Sequence, residues 1–289
     1  QDINGTTRVC GLIGNPVGHS ISPVIHNSLA QLMDMNMVYT TFKVEKGDVV
    51  TAVNGAYALN ILGLNVTVPH KQAVMESLVD IDPLAKAIGA VNTLVRTDKG
   101  YKGYNTDILG LERELIDEGV VLLGSRCVIL GAGGAARAIA FLCAKSGAKE
   151  IYVLNRTKEK AYDIAKAVND YFGKECIKPM LISEYDKLEA DDYVVIQTTS
   201  VGLYPNVDDV VIDDEAFYKK VKVGVDIIYN PSETRFMKMC KNVGKPACNG
   251  LKMLLYQGVA AYELWNDVSV TKEQADKVYN KMKEELGIE

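Results

Sequence analysis

The chain has 289 residues, 48% of them hydrophobic and 24% charged, which suits a globular protein with a true core, its length pointing to two domains or to one large α/β domain. Its formal net charge of −5 leaves no basic excess to neutralise phosphates, which argues against nucleic acid as the main partner while leaving room for a small anion in a local basic pocket. No apolar run reaches membrane-spanning length and no leader segment is visible, so no membrane partner is expected. Six cysteines, at 10, 127, 143, 176, 240 and 248, form no C-x-x-C pair, and with only three histidines they offer no metal site. They sit in apolar runs such as "RVCGLIG" and "CVILGAG" and read as small buried hydrophobes of a reducing compartment, hence a cytoplasmic location. The chain opens on Gln1 rather than Met, as a processed chain or a piece of a longer one would.

"RVCGLIG" (8–14) is an apolar run closed by glycine and predicts a buried strand. "SPVIHNSLAQLM" (22–33) predicts a helix with Ser22 as N-cap and Pro23 at its first position. "VYTTFKV" (38–44) alternates as a strand does, "ILGLNVTV" (61–68) predicts another, and "KQAVMESLV" (71–79) predicts a helix. "AVNTLVR" and "GYKGYN" flank the turn signal "TDKG" (97–100) and predict a hairpin. Strand and helix thus alternate as they do in α/β folds. "TDILGLERELIDEG" (106–119) reads as a helix with Ile108, Leu111, Leu115 and Ile116 on one side, leading into a second unit. There, residues 125–157 predict strand, glycine loop, helix and strand, with a further helix over 158–172. "YVVIQTTSVG" (193–202) and "VGVDIIYN" (223–230) predict two buried strands, with a short helix over 234–244. The tail predicts two helices, 250–265 and 271–286, that return to pack on the first domain. The second opens with a capping box of Thr271 and Gln274 and carries the stripe Ala275, Val278, Met282 and Leu286.

"GAGGAA" (131–136) fits G-x-G-x-x-A between a strand and a helix. Gly131 allows the tight turn, Gly133 lets the backbone approach a pyrophosphate, and the helix N-terminus supplies amide donors and partial positive charge. NAD-binding folds place Asp or Glu at the end of the second strand to bond the ribose 2′-hydroxyl. Here that position reads "NRT": Asn155, Arg156, Thr157. No carboxylate is present to repel a phosphate. Arg156 can stack on adenine and pair with a 2′-phosphate, and Lys160 one turn on adds charge, so the expected cofactor is NADP(H) rather than NAD(H).

"NVTVPHK" (65–71) brings a strand through a proline to Lys71. A helix starting there would disfavour the charged ammonium, easing proton exchange with an alcohol or ketone oxygen. The plain alternative is a solvated lysine after a turn. "YNTDILG" puts Asp107 at another helix N-terminus, where a carboxylate near Lys71 would orient the ammonium and oppose that helix effect. "HSIS" places Ser20 and Ser22 at the head of a helix, a plausible cradle for a substrate carboxylate. N-capping alone would explain Ser22 but not Ser20.

The motifs "GNPVGHSISPVIHN", "NVTVPHK", "GAVNT", "GYNTD", "GAGGAARA", "NRT" and "GLKMLLYQG" occur in the order found in shikimate dehydrogenases, and the chain resembles that family from about residue 8 to the C-terminal helices. The resemblance implies an α/β fold of two domains: an α/β substrate-binding domain over 1–106, completed by 250–289, and a Rossmann-type doubly wound nucleotide-binding domain over 107–249. It implies reversible NADPH-dependent reduction of 3-dehydroshikimate to shikimate, on the route to chorismate and aromatic amino acids. Carried over, Lys71 is the catalytic acid/base and Asp107 its partner. Ser20, Ser22, Thr67, Lys71, Asn92, Asp107, Tyr229 and Gln257 match substrate-contacting positions. Gly131, Ala132, Gly133, Gly134, Ala135, Asn155, Arg156, Thr157, Ile227 and Gly250 match cofactor positions, with Lys160 expected to add charge beside them. The polar set agrees with the residues themselves: a polyhydroxy acid needs donors and acceptors converging on one pocket.

The implied chemistry moves a proton toward the Lys71–Asp107 dyad and a hydride to the nicotinamide, in a cleft that closes against water. Three readings stay open beside it: a quinate/shikimate dehydrogenase using NAD, a non-catalytic shikimate sensor, and one module of a longer enzyme. The expected assembly is a monomer or homodimer. Departures from the family are Lys160, where many relatives carry arginine, and Pro83, where some carry an acid. The acidic, turn-rich segment 201–217 reads as a loop beside the cofactor or a solvated edge.

Overall fold

The computed structural model describes residues 2–288. The chain forms two compact units, one made of residues up to Gly110 together with Leu254 onward, the other of Leu111–Met253.

In the first unit, β1 (Arg8–Gly14), β2 (Met37–Lys43), β3 (Gly63–Val66), β4 (Asp80–Ile81), β5 (Thr93–Thr97) and β6 (Gly100–Tyr104) make one sheet in the order β2-β1-β3-β5-β6-β4. It is parallel except for β5, which runs antiparallel to both β3 and β6. The hairpin closes with Thr97 opposite Gly100, as the turn signal requires. β1 lies centrally and its last five residues are fully buried, which explains the unbroken apolar run. Helices α1 (Ser22–Leu32), α2 (Val49–Ala58) and α3 (Pro83–Ile88) pack around this sheet. α2 escapes sequence reading because "VVTAVNGAYA" is rich in β-branched residues and only three of its residues are buried. α3 is announced by Asp82, whose carboxylate accepts from the Leu84 and Ala85 amides at 3.1 and 3.2 Å, with Pro83 behind it at the helix start.

Two expectations fail here. The predicted helix over 71–79 is only a 3-10 turn over Ala73–Ser77. That turn packs on α2, and Leu78 and Val79 lie against Gly103 and Gly100 of β6, so the apolar residues do not share one helix face. Ser22 is not the N-cap of α1: the cap position is Ile21, and Ser20 Oγ instead accepts from the Ser22 amide at 3.2 Å.

In the second unit, β7 (Arg126–Leu130), β8 (Glu150–Asn155), β9 (Ile177–Leu181), β10 (Tyr193–Gln197), β11 (Val221–Asp226) and β12 (Ala247–Cys248) form an all-parallel sheet in the order β12-β11-β10-β7-β8-β9. Read from the other edge this is 3-2-1-4-5-6, the doubly wound dinucleotide order. α5 (Gly134–Lys145), α6 (Lys158–Phe172), α7 (Glu215–Lys219) and α8 (Arg235–Asn242) flank it. β9, α7 and β12 are short or half-buried and carry no apolar run to announce them.

α4 (Thr106–Asp117) and α9 (Leu251–Asn266) each contain a boundary between the units. Ile108, Leu111 and Leu115 of α4 are buried as predicted, but Ile116 is 73% exposed, a full 100° round the helix from Leu115. α10 (Lys272–Leu286) opens with the expected capping box, and Ala275, Val278 and Met282 are buried on α1's side of the unit. α9 is fixed to the first unit's sheet by Trp265, whose indole Nε1 donates to the Leu94 carbonyl at 2.9 Å. Gly63 lacks a side chain where that indole sits. No helix of the described residues is long and apolar enough to cross a membrane, and no metal-binding cluster occurs among them.

Candidate active site

Lys71 leaves β3 through the turn at Pro69 and His70. His70 Nε2 bonds the Val44 carbonyl at 2.7 Å, and Val91 donates its amide to the Lys71 carbonyl at 2.9 Å, so the backbone is held on both sides. No helix starts at Lys71, contrary to expectation, so its own segment sets no helix dipole against the ammonium. What acts is a carboxylate. Lys71 Nζ donates to Asp107 Oδ2 at 2.7 Å, with the two side chains 33% and 23% exposed. Asp107 sits in the first turn of α4, where the dipole favours an anion. Its other oxygen accepts from Asn92 Nδ2 at 3.0 Å. Three of the sequence-predicted residues thus form one chain, buried at Asn92 and half-buried at Asp107 and Lys71. An ammonium held in this way can give or take a proton at an oxygen placed beside it.

Thr67 ends the same strand, half-buried, one residue beyond Val66, whose amide bonds the Asn92 carbonyl at 2.8 Å. Ser20 and Ser22 form a separate pair at the head of α1. Ser22 is buried, while the Ser20 hydroxyl proton remains free to donate because its oxygen takes the Ser22 amide. Gln257 is buried on α9, its Nε2 donating back to the Leu254 carbonyl at 2.8 Å, which leaves its Oε1 to accept. Tyr229 belongs to the other unit. Burial raises its phenol above the ordinary range.

The glycine loop of the second unit follows β7. Gly131 has φ +108, and a Cβ there would lie 2.7 Å from Thr198 Oγ1 and 2.8 Å from Thr199 Cγ2, so both conformation and space require glycine. Gly133 is the N-cap of α5, with Gly134 opening the helix and Ala135 and Ala136 following. A Cβ on Gly133 or Gly134 would meet nothing within 4 Å. Their side is open, and the orphan amides of the first turn face a free approach. At the end of β8, Asn155 Nδ2 donates to the Thr157 carbonyl at 2.9 Å and folds the turn that carries Arg156. Arg156 and Lys160 are exposed, and among the described residues neither is held in an ion pair. The donor set fits a dinucleotide with an extra phosphate: open backbone amides for the pyrophosphate and two exposed cations, with Asn155, Arg156 and Thr157 rather than an acid at the end of β8.

Gly250 and Ile227 touch: a side chain at Gly250 would run into the Ile227 carbonyl, and the Gly250 amide donates to Ile228 at 3.0 Å. Behind this turn lies a group that sequence reading missed. Asp226, fully buried, accepts from the Ile228 amide at 3.0 Å, Thr234 Oγ1 at 2.7 Å and Gln197 Nε2 at 3.2 Å. Burial pushes its carboxyl up to about 6, and these three donors act against that rise. Gln197 Oε1 also accepts from the Thr199 amide at 2.6 Å, so one buried pair shapes the turns after β10 and β11 at the switch point of the sheet. The segment 201–217 is pinned rather than merely solvated: Arg235 donates to the Asp208 carbonyl at 2.6 Å and pairs with Asp213 at 2.7 Å, and Ile212 is buried.

Against known proteins, residues 12–94 match the family described as shikimate dehydrogenase substrate binding domain, and residues 115–227 match shikimate / quinate 5-dehydrogenase. A relative from Desulforamulus reducens, named shikimate dehydrogenase (NADP(+)), is 43% identical, with 91% of each chain covered. The chain belongs to the shikimate dehydrogenase family. A solved shikimate dehydrogenase in complex with NADP+ superposes with a TM-score of 0.87 at 39% identity, covering 97% of each chain. One from Listeria monocytogenes, in complex with shikimate and NAD, gives 0.89 at 30% identity, covering 99% of this chain and 98% of that one. As a shikimate dehydrogenase family member, the chain has the expected α/β fold with two sheet-based units. Beyond the residues singled out from the sequence, Tyr39, Asn65, Thr93 and Thr106 lie buried behind Asn92, the last three of them within the motifs "NVTVPHK", "GAVNT" and "GYNTD". Their signal in the sequence was polarity inside strands: Asn65 interrupts "ILGLNVTV" and Thr93 begins "TLVRT".

Proposed function

We propose that this chain is an NADP-dependent shikimate dehydrogenase that interconverts 3-dehydroshikimate and shikimate, an oxidoreductase acting on a secondary alcohol. The observation that carries the reading is the Lys71–Asp107 pair at 2.7 Å with Asn92 on the second carboxylate oxygen, in a chain of this family.

In this reading Ser20 and Ser22 take the substrate carboxylate through the Ser20 hydroxyl and the head of α1. Thr67, Asn92 and Gln257 meet the ring hydroxyls, and Tyr229 adds a contact. Lys71 Nζ stands beside the reacting oxygen. It hands over a proton as the ketone becomes an alcohol and takes one back in the reverse direction. Asp107 orients the ammonium and balances its charge. NADPH, when bound, supplies the hydride. Gly131, Ala132, Gly133, Gly134 and Ala135 receive its pyrophosphate. Asn155 and Thr157 shape the turn from which Arg156, with Lys160, meets the 2′-phosphate, and Ile227 and Gly250 form the wall on the nicotinamide side. The unit that carries Lys71 thus serves the substrate, and the unit that carries the glycine loop serves the nucleotide. Six free cysteines, four of them buried, support a cytoplasmic enzyme, and a monomer or homodimer suits it.

Initial rates at the nicotinamide absorbance band test the reading, crossing shikimate and quinate with NADP+ and NAD+. Fast turnover confined to shikimate with NADP+ supports it. Comparable turnover with quinate or NAD+ moves the chain to the broader quinate/shikimate class. Ligand binding without turnover in any combination makes it a sensor.

A further inference from the structure

Behind the Lys71–Asp107 pair the first unit holds a line of buried polar groups that runs into the site through Asn92. Tyr39 Oη donates to Asn65 Oδ1 at 2.9 Å. Asn65 Nδ2 donates to Thr93 Oγ1 at 3.1 Å, and Thr93 Oγ1 donates to Asn92 Oδ1 at 3.0 Å. Asn92 Nδ2 then donates to Asp107 Oδ1 at 3.0 Å. Tyr39, Asn65, Asn92 and Thr93 are each at most 5% exposed. Asn65 spends an N–H on the Thr93 oxygen, so the single Thr93 proton points onward, either to Asn92 Oδ1 directly or to Thr106 Oγ1, whose own proton then goes to the same Asn92 oxygen. Asn92 Oδ1 already takes the Thr106 amide at 2.7 Å, so its amide nitrogen faces Asp107. The Thr106 hydroxyl, 3.1 Å from Thr93 Oγ1 and 3.2 Å from Asn92 Oδ1, donates within the same cluster.

We propose that Thr93, with Asn65 and Tyr39 behind it, is a positioning relay for the reaction: four hydrogen bonds run head to tail from the Tyr39 phenol and fix the Asn92 amide on the Asp107 carboxylate. The relay rests on the reading of Lys71 and Asp107 as the reacting pair. Each bond polarises the next in a buried setting. The donor end of the series faces Asp107, and the carboxylate that holds Lys71 is thereby kept in one place. The start of the line is rigid. Asn27 clasps the Tyr39 backbone, donating to its carbonyl and accepting from its amide at 2.9 Å each. His26, fully buried, stacks on the Tyr39 ring with centroids 4.2 Å apart.

The test is steady-state kinetics with shikimate and NADP+ on three variants beside the wild type. Thr93→Val keeps the shape and removes the hydroxyl. It lowers kcat roughly ten-fold while KM for shikimate changes less than about two-fold, the signature of a misplaced reacting group rather than a lost contact. Thr93→Ser restores most of kcat. Tyr39→Phe, at the far end, lowers kcat roughly three-fold in the same sense, and it lowers the melting temperature because Asn65 Oδ1 is left buried without its donor. Unchanged kcat in Thr93→Val, an equal loss in Thr93→Ser, or a raised KM at constant kcat each overturns the relay. If Thr93→Val does not fold, Tyr39→Phe decides alone, and wild-type kcat there overturns it. A wild type inactive on shikimate overturns the function reading instead, so the two failures are distinct.

Discussion

The glycine loop of the second unit and the Lys71 constellation of the first are built on opposite plans. The loop is one continuous stretch, from β7 through Gly131 to the first turn of α5, and its working groups are backbone amides. The constellation draws Lys71 from the turn after β3, Asn92 from the start of the hairpin and Asp107 from α4, and its working groups are side chains. A backbone site needs only local dihedrals and glycine. A side-chain site needs every neighbour that fixes a rotamer or an amide. Damage to the first should cost cofactor affinity alone, and damage to the second should cost turnover.

Lys71→Ala sharpens that contrast most. It removes the proton-transfer group, and kcat should fall by roughly a thousand-fold with little change in shikimate affinity measured by calorimetry. Near-normal turnover would leave the constellation without a catalytic role. Gly131→Ala attacks the other plan. A left-handed φ costs a non-glycine residue about 1–2 kcal/mol, and the new methyl also meets Thr198. NADPH affinity should drop roughly ten-fold or more, with shikimate binding to the apo-protein unchanged. A parallel loss of shikimate affinity would break the comparison.

Arg156→Ser tests the end of β8. Loss of a charge-assisted pair with the 2′-phosphate should weaken NADP+ roughly ten-fold and leave NAD+ nearly untouched, read as the ratio of the two kcat/KM values. Equal loss for both cofactors would reassign Arg156 to adenine stacking.

The smallest effect concerns stability. Glu114 of α4 is 1% exposed, and the nearby Met253 amide makes no well-formed hydrogen bond to either of its oxygens. Burial pushes its carboxyl up to about 8, from an ordinary 4.5. The unfolded chain loses this proton above pH 4.5 while the folded chain keeps it to about 8, so stability falls as pH rises through that window. Glu114→Gln should flatten this fall and raise the melting temperature by about 5 °C at pH 9, with little gain at pH 4. A gain independent of pH would show that the native carboxyl is not held protonated.

Much of the fold was legible. β1, the hairpin, the β7–α5–β8 core and the α10 capping box follow from apolar runs, turn chemistry and caps, all of which act within a few residues. α2, α3, β9, α7 and β12 were not, because they are short, half-buried or rich in β-branched residues, so neither period nor burial marks them. At the site, the helix expected at Lys71 failed since its apolar residues split between α2, on which the 3-10 turn packs, and β6, against which Leu78 and Val79 lie, rather than sharing one helix face. Ser22 was misjudged as a cap because serine at a helix head fits that role equally well, and only the backbone dihedrals of Ile21 separate the two.

The sequence by itself determined the α/β class, the dinucleotide loop, the absence of an acid beside Arg156 and, through the order of its motifs, the family. These are statements about residue type and local spacing, and neighbours in the chain are enough to make them. Only the tertiary structure decided that Lys71 meets a carboxylate instead of a helix dipole, that Asp226 and Gln197 brace the turns after β10 and β11, and that a line of buried donors starting at Tyr39 ends on Asp107. Those depend on which side chains from distant segments share a water-free space, where each polar atom must find its partner.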